Sequence, residues 1–487
     1  MTTTKAKLLL FSHVCNTKSI SGAEKLLLHL TQELSSFFEC ALVAPCEGEM
    51  TRAAREKGIR VILLNLPLLH EMYAPGEHLP LEIERMRHSA GLEEAAALIR
   101  EEEADAVLAN TCVHVLPALA AERLGVPLIW NITEVMVRTP FLQHALDVIG
   151  ALSTRILTIS GTVRARFAGR VPEEKLGLLY PSWERTQFRK EQWPLFRETR
   201  RAEWGLKPEH RVIGYISAFL TVEKGFEHFI DTALELCGKR SEVRFLIIGQ
   251  KNDKDFYARC LDKVNESKYF SRFTFVPYER AVEEVYCAMD ILVIPSLMPE
   301  GFGLTSLEGM IHGKLSAAYR AGGLEEILGA CGFGDYLAEM GSQEELGSRV
   351  KALLELAPER AAALSALAMA RADAVFGPAA YKERLRYEIA RFVFARLDRL
   401  SFSMRDGGTV MRSAARAVIQ PSQPPAEEAR PALEAGPGEP AAAESAPQEA
   451  GPPQAGAPQP DPAAQSGPAA QSGPAQPGPL QRGPAAG

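Results

Sequence analysis

The sequence predicts an α/β protein of two doubly wound, mostly parallel sheets. Three observations carry this reading. Short apolar runs alternate with amphipathic stretches of helical period through most of the chain, as in a parallel sheet covered by helices on both faces. The series restarts after Trp204. A chain of 487 residues is also too long for one ordinary core, so a second domain is the natural use of the second series.

In chain order, Lys7 to Phe11 reads as the first strand. Glu24 to Ser35 follows as a helix, with Leu26, Leu27, Leu30 and Leu34 at helical spacing. Strands are expected at 41 to 44, 61 to 64, 106 to 109, 128 to 132 and 156 to 160, with a helix near Thr51 to Lys57. The second series has strands at 212 to 216, 245 to 249, 273 to 276 and 291 to 294. This division predicts a first domain over 1–180, a polar and aromatic connection over 181–207 and a second domain over 208–378. A helical segment over 379–418 carries Leu385, Ile389, Phe392, Val393 and Ala395 in a helical pattern.

From 419 to 487 the composition turns to Pro, Ala, Gly and Gln, with Ala-Ala-Gln-Ser-Gly-Pro at 463 to 468 and again at 469 to 474. Such a tail buries too little apolar surface to offset its ordering entropy, so disorder is expected. Before it, Arg396, Arg399, Arg405, Arg412 and Arg416 read as a solvated basic face. Weak peripheral membrane contact is the alternative, although Asp406, Gly407 and Gly408 break the apolar face there.

The bulk numbers exclude several classes. A net charge of -7 gives no support to a nucleic-acid surface. No apolar run approaches the roughly 18 residues that span a bilayer. Lys7 to Phe11 is too short for a signal-peptide core, so a cytoplasmic location is expected, with contact at the inner face of a membrane as the variant. The cysteines Cys15, Cys40, Cys46, Cys112, Cys237, Cys260, Cys287 and Cys331 make no Cys-x-x-Cys pair and have no His at zinc-ligand spacing. They read as reduced thiols, and neither a structural metal nor a cofactor is expected.

The chemistry concentrates in Pro-Glu-Gly-Phe-Gly-Leu-Thr-Ser-Leu-Glu-Gly-Met, residues 299 to 310. This stretch follows a buried strand and precedes a helix, so Glu300, Gly301 and Gly303 fall in a loop at the carboxyl end of a strand. In open α/β sheets ligands bind at that edge. Glycines let backbone amides approach a ligand, and the helix N-terminus suits a phosphate. Glu300 and Glu308 can each accept hydrogen bonds from sugar hydroxyls, with Glu308 expected in the first turn of the helix. Thr305 and Glu308 also spell a capping box, which would make Glu308 structural.

Three weaker constellations accompany it. Ser21-Gly22-Ala23-Glu24 lies between the first strand and first long helix, as a tight turn facing a ligand or as a plain Ser cap. Ser217 to Phe226 leads into a helix, and Lys224 before Gly225 can place an ammonium on a phosphate. Asn131, Thr133 and Glu134 follow an apolar strand and are expected on the cleft edge of the first domain. No Gly-x-Gly-x-x-Gly follows the first strand, which argues against a nicotinamide-dependent oxidoreductase.

Together these residues resemble the GT-B glycosyltransferases of retaining family 4, also called group 1. The resemblance covers roughly residues 5 to 400. Its diagnostic part is the Glu-x7-Glu element at Glu300 and Glu308. Supporting matches are residues 21 to 24, Lys224-Gly225, Ile-Ile-Gly at 247 to 249, Ala-Met-Asp-Ile-Leu-Val-Ile-Pro-Ser at 288 to 296 and Ala-Gly-Gly-Leu-Glu-Glu-Ile at 321 to 327.

The resemblance implies transfer of a hexose-like sugar from a UDP-, GDP- or ADP-linked donor to a hydroxyl of a glycan, glycolipid or polysaccharide precursor. It also implies catalysis without a metal. Glu300 would contact the transferred sugar and Glu308 the ribose. The backbone amides of Phe302, Gly303, Leu304 and Thr305 would line the sugar and phosphate site. Lys224 would stabilise the departing diphosphate, and Ser21, Gly22 and Ser217 would stand close to the donor.

The chain departs from the family in places. Ile216-Ser217-Ala218-Phe219 stands where an arginine is usual, Thr133 where many members have histidine, Pro181-Ser182 where Asn-Gly is usual, and Ser21 at the first glycine of the Gly-Gly loop. The missing arginine and Thr133 support the alternative, a catalytically weak module of the same fold that binds or senses a nucleotide sugar; the intact Glu300, Glu308 and Lys224 oppose it.

Overall fold

The computed structural model describes residues 5–403 except 19, 185–187, 252 and 278, with side chains up to residue 395. The expected tail, and Arg405, Arg412 and Arg416, lie outside the described residues, as do the side chains of Arg396 and Arg399.

Two parallel sheets form. The first contains β1 (Lys7–Phe11), β2 (Glu39–Ala44), β3 (Arg60–Leu63), β4 (Ala106–Asn110), β5 (Leu128–Ile132), β6 (Arg155–Thr158) and β7 (Leu176–Leu178), in the order β3-β2-β1-β4-β5-β6-β7. The second contains β8 (Arg211–Leu220), β9 (Val243–Lys251), β10 (Phe273–Val276), β11 (Ile291–Ile294), β12 (Leu315–Tyr319) and β13 (Leu337–Ala338), in the order β10-β9-β8-β11-β12-β13. Neighbouring strands are parallel throughout. Parallel pairing demands crossovers, and helices supply them.

The strand order reverses between β1 and β4 in one sheet and between β8 and β11 in the other. Loops leaving such switch points splay to opposite faces and open a crevice at the carboxyl ends of the strands. Ser21 and Gly22 follow β1, Lys224 follows β8 and Glu300 follows β11. The candidate residues therefore converge on the crevice of their own sheet.

Several boundaries differ from expectation. β8 continues past Ile216 to Leu220 through a bulge between Ile216 and Phe219, so Ser217 to Leu220 still belong to a strand. β6 stops at Thr158, because Ser160 caps α2 (Gly161–Arg164) by accepting a hydrogen bond from Val163 N. The connection is not a plain link: it holds α3 (Trp193–Glu203). Arg197 and Arg201 of α3 grip Asp290 at 2.5 and 2.7 Å, just before β11, and Val212 N donates to the same carboxylate at 2.7 Å.

The last helix, spanning Pro378–Ser403, returns to the first sheet. There Arg155 of β6 donates its Nε to Glu388 at 2.7 Å, both side chains being almost fully buried. No helix among the described residues is long and apolar enough to cross a membrane.

Candidate active site

The Glu300 loop is built by glycines and by loops from three strands. After β11 the chain reaches α4 (Leu304–Ile311), whose cap is Gly303 at φ 98°. Glu300 N donates to Ala321 O at 3.1 Å and Gly323 N to Glu300 O at 2.9 Å, which fixes the glutamate against the loop after β12. The Glu300 carboxylate accepts from Lys224 Nζ at 2.7 Å and from Ser296 Oγ at 2.8 Å.

Lys224 is held with equal care. Gly225 beside it takes φ +67°, and a Cβ there would lie 1.7 Å from the Pro295 carbonyl oxygen. Only glycine permits both the conformation and the approach. Leu297 N donates to Glu223 O at 2.8 Å, so the loops after β8 and β11 are tied together. The Lys224–Glu300 pair keeps 37% and 18% of its side-chain surfaces open. It is a preformed charge pair that a ligand can still reach.

Glu308 lies in the second turn of α4, not the first, and the capping box is absent. Gly303 rather than Thr305 caps the helix, without a side-chain bond. Instead Glu308 Oε2 accepts from the Tyr286 hydroxyl at 2.9 Å. Its Oε1 faces Lys25 Nζ at 4.0 Å, on α1 (Gly22–Leu34) of the first sheet. Gly22 opens that helix, and a Cβ on it would stand 3.2 Å from Leu304 Cδ1. The N-termini of α1 and α4 thus oppose each other across the cleft. Unpaired amides and the positive dipole ends make such a place suited to an anion.

Ser21 proves structural in its side chain. It forms a reciprocal capping box with Glu24, which also accepts from Asn16 N at 2.8 Å. Phe302 is likewise buried, against Tyr180 and Phe376, so only its backbone can line the site. Ser217 has its carbonyl packed on Gly249, and no hydrogen bond joins it to Lys224 or Glu300 among the described residues.

The first-sheet wall is closely seated on the Glu300 loop. A Cβ on Gly301 would come 2.1 Å from Thr133 O, and Ser160 Oγ donates to Gly301 O at 2.5 Å. Glu134, one residue on, accepts from Cys112 N and Thr133 N, both at 3.2 Å. Asn131 departs from expectation: it is buried and donates to Asn110 Oδ1 at 2.7 Å, joining β5 to β4 rather than lining the cleft.

Sequence reasoning missed the residues that act across the cleft. Glu326 of the second sheet accepts from Gly161 N at 2.8 Å and Thr162 N at 2.6 Å, capping α2 of the first sheet. Lys25 and Tyr286 flank Glu308, and Ser296 supports Glu300. Glu326 stood in the quoted Gly-Gly segment, but only tertiary structure reveals its partners. Among the described residues no group of three or more His, Cys, Asp and Glu side chains could hold a metal ion.

Residues 210–356 match the profile of the family described as Glycosyl transferases group 1. The 2-deoxystreptamine glucosyltransferase of Streptomyces kanamyceticus is 29% identical over 144 residues, which cover 30% of this chain and 36% of that protein. The lipopolysaccharide core biosynthesis mannosyltransferase LpsB of Rhizobium meliloti (strain 1021) is 27% identical over 126 residues, 26% of this chain and 35% of that protein. The chain therefore spans about a third of the length of the curated relatives it matches. The crystal structure of Alr3699/HepE from Anabaena, in complex with UDP and glucose, superposes with a TM-score of 0.65 at 18% identity, covering 79% of this chain and 99% of that one. With this two-sheet architecture and the superposition on the Anabaena structure, the chain has the GT-B fold, and its residues 210–356 are similar to the glycosyl transferases of group 1.

Proposed function

We propose that the chain transfers a hexose-like sugar, with retention, from a nucleotide donor to an acceptor hydroxyl. One observation carries the reading. Lys224 and Glu300 meet at 2.7 Å at the switch point of the second sheet, with Glu308 eight residues beyond Glu300 and facing Lys25 of α1 at 4.0 Å. A nucleotide sugar presents ribose, diphosphate and hexose in a row. Glu308, the α4 N-terminus with Lys224, and Glu300 supply matching partners in the same order.

In this reading Glu308 accepts hydrogen bonds from the ribose while Tyr286 holds its other oxygen. The diphosphate lies between the two helix N-termini. Lys224 turns from Glu300 toward the phosphate, and Glu300 is released to the hexose hydroxyls. As the sugar–phosphate bond breaks, charge grows on the leaving diphosphate and is met by Lys224 and the backbone amides of α4. Such preorganised electrostatics is a large source of catalysis in a water-poor cleft. The acceptor oxygen then bonds to the anomeric carbon on the face the diphosphate leaves, and its hydroxyl proton passes to the departing diphosphate oxygen. No step is routed through a metal, so transfer is expected to persist with a chelator present. The complex of the Anabaena protein with UDP makes a uridine donor the first to try.

The test is release of nucleoside diphosphate from UDP-, GDP- and ADP-sugars. The parent should consume one of them in the presence of an acceptor, and Glu300→Ala should lower the rate by about 10²-fold or more. Its melting temperature should hold, because a part-exposed loop carboxylate contributes little to stability. Binding of a donor without turnover would leave the binding-module alternative; full turnover by Glu300→Ala would overturn the assignment.

A further inference from the structure

The amino edge of the second sheet carries a basic depression of about 590 Å³, on the opposite edge from Lys224 and Glu300. It forms where β9 and β10 begin, at Val243 and Phe273, and where the helix Phe226–Lys239 ends. That helix starts beside Gly225 and Lys224 and has 14 residues. At the rise of an α-helix it sets the depression about 20 Å from the donor site.

Lys239, Arg240, Lys268 and Arg272 line the depression together with Ser241 and Ser271, and no carboxylate does. In a chain of net charge -7 this is a local reversal of sign. Two of the cations are balanced from outside the hollow: Lys239 by Glu235 at 2.5 Å and Arg240 by Glu242 at 2.8 Å. Lys268 and Arg272 have no carboxylate partner among the described residues, and their only side-chain contacts are to backbone and ring.

Arg272 is held in a fixed orientation. Its Nη1 donates to Cys237 O at 3.1 Å and to Arg240 O at 2.7 Å, at the end of the helix, and its guanidinium lies 5.0 Å from the centre of the Tyr269 ring. Lys268 Nζ stands 5.3 Å from the centre of the same ring. Nε and Nη2 of Arg272 and the hydroxyls of Ser241 and Ser271 make no hydrogen bond among the described residues. Arg244, at the start of β9, adds to the excess: burial and then Arg272 push its guanidinium down. Like charges gathered this closely repel one another, and an anion among them relieves the repulsion.

We propose that this depression binds a phosphate monoester, held by the guanidinium of Arg272 and the ammonium of Lys268 with the two serine hydroxyls alongside. The site offers donors only. A phosphate has acceptor oxygens enough to use the planar fork, the point charge and the hydroxyls together. The proposal does not draw on the glycosyl-transfer reading. The phosphate can be that of a small metabolite or of a lipid headgroup. Phe270, between these residues and 52% exposed, would meet the bilayer interface in the second case.

Calorimetric titration of the full chain with glycerol 3-phosphate tests the site at about pH 8, where the phosphate is a dianion, and in about 0.15 M chloride, which screens loose surface charge. Sedimentation with phosphatidylcholine vesicles, with and without phosphatidate, covers the lipid source. The parent should bind glycerol 3-phosphate saturably, or prefer the phosphatidate vesicles; the second result alone names a lipid headgroup as the source. Lys268→Gln changes an exposed side chain outside any ion pair, so its melting temperature should hold while binding falls about tenfold. Arg272→Gln should remove binding. Lys224→Ala should bind as the parent does. Parent-like binding by both Lys268→Gln and Arg272→Gln would overturn the site, as would failure of the parent to bind either probe. Loss of binding in Lys224→Ala would place the phosphate in the donor cleft and overturn it too.

Discussion

The two walls of the cleft are built on opposite terms. On the second-sheet wall every charged candidate has a partner: Glu300 has Lys224 and Ser296, and Glu308 has Tyr286. Its loops pack to the limit that glycine allows, as at Gly225 against Pro295. On the first-sheet wall Thr111 is strained and Asn110 Nδ2, Thr111 Oγ1 and His114 Nδ1 are orphaned, while the second-sheet wall has Ser306 Oγ and His312 Nε2 unpartnered but no strained non-glycine residue among the described ones. The difference is instructive. A wall that must meet a fixed, highly charged group such as a diphosphate profits from being preorganised. The first-sheet wall keeps hydrogen-bonding capacity unspent, at a cost in stability.

Four variants would break or sharpen this contrast. The largest effect is expected from Lys224→Ala, which removes the only donor-side cation touching Glu300 among the described residues. Steady-state kinetics should show transfer reduced by 10²-fold or more, an order set by loss of a group that stabilises the transition state. Retention of a tenth of the rate would mean that the second-sheet wall is not where charge develops.

Gly225→Ala comes next. Its Cβ would collide with Pro295 O, and its φ is unfavourable to any other residue. Denaturant unfolding should show a loss above about 2 kcal/mol, the range of strain and overpacking. Stability within 0.5 kcal/mol or so of the parent, the span of neutral surface changes, would show that this wall is less rigid than described.

Tyr286→Phe leaves the ring and removes the hydroxyl that holds Glu308 Oε2. Nucleoside affinity should fall about fivefold, the equivalent of one ordinary hydrogen bond, while sugar-independent phosphate binding is kept. An unchanged affinity would separate Glu308 from the ribose.

The smallest effect has the opposite sign. Thr111→Gly relieves the positive φ and removes an orphaned hydroxyl, so stability should rise by about 1 kcal/mol, less the backbone entropy that glycine adds to the unfolded chain. A loss of stability would show that Thr111 makes contacts that offset its strain.

The pH dependence follows the same division. Burial pushes the Glu134 carboxyl up, against hydrogen bonds from Cys112 and Thr133 that pull it down. A glutamate raised in the folded state contributes stability that is present below its ordinary value and is lost as pH rises through the raised one. Thermal unfolding across that window should be flatter in Glu134→Gln than in the parent. A parent-like slope in the variant would place the titration elsewhere.

How much of this was legible in the chain depends on distance along it. Local signals did well: the apolar runs at 128–132, 273–276 and 291–294 are strands to the residue. β12 was missed because Leu-Ser-Ala-Ala-Tyr carries small residues whose burial comes from neighbouring helices rather than from their own bulk. Thr305 and Glu308 had the spacing of a capping box, but Gly303 at φ 98° starts the helix earlier and displaces both. Ser21 and Glu24, with the same spacing, do form one. Asn131 read as a cleft residue because polar strand ends usually are; pairing with Asn110 inside the sheet turned it inward. The pairing of Lys224 with Glu300, the approach of Lys25 to Glu308 and the reach of Glu326 to Gly161 join segments far apart in sequence. No local pattern encodes such contacts; the two sheets must first be set face to face.

The central claim is that this cleft binds a nucleotide through its diphosphate, between two helix N-termini and on Lys224. Calorimetric titration of the parent and Lys224→Ala with UDP and with uridine tests it most directly. The account predicts that UDP binds the parent far more tightly than uridine does, and that Lys224→Ala removes most of that difference while leaving uridine nearly unchanged. Equal UDP affinity in the two proteins would contradict it.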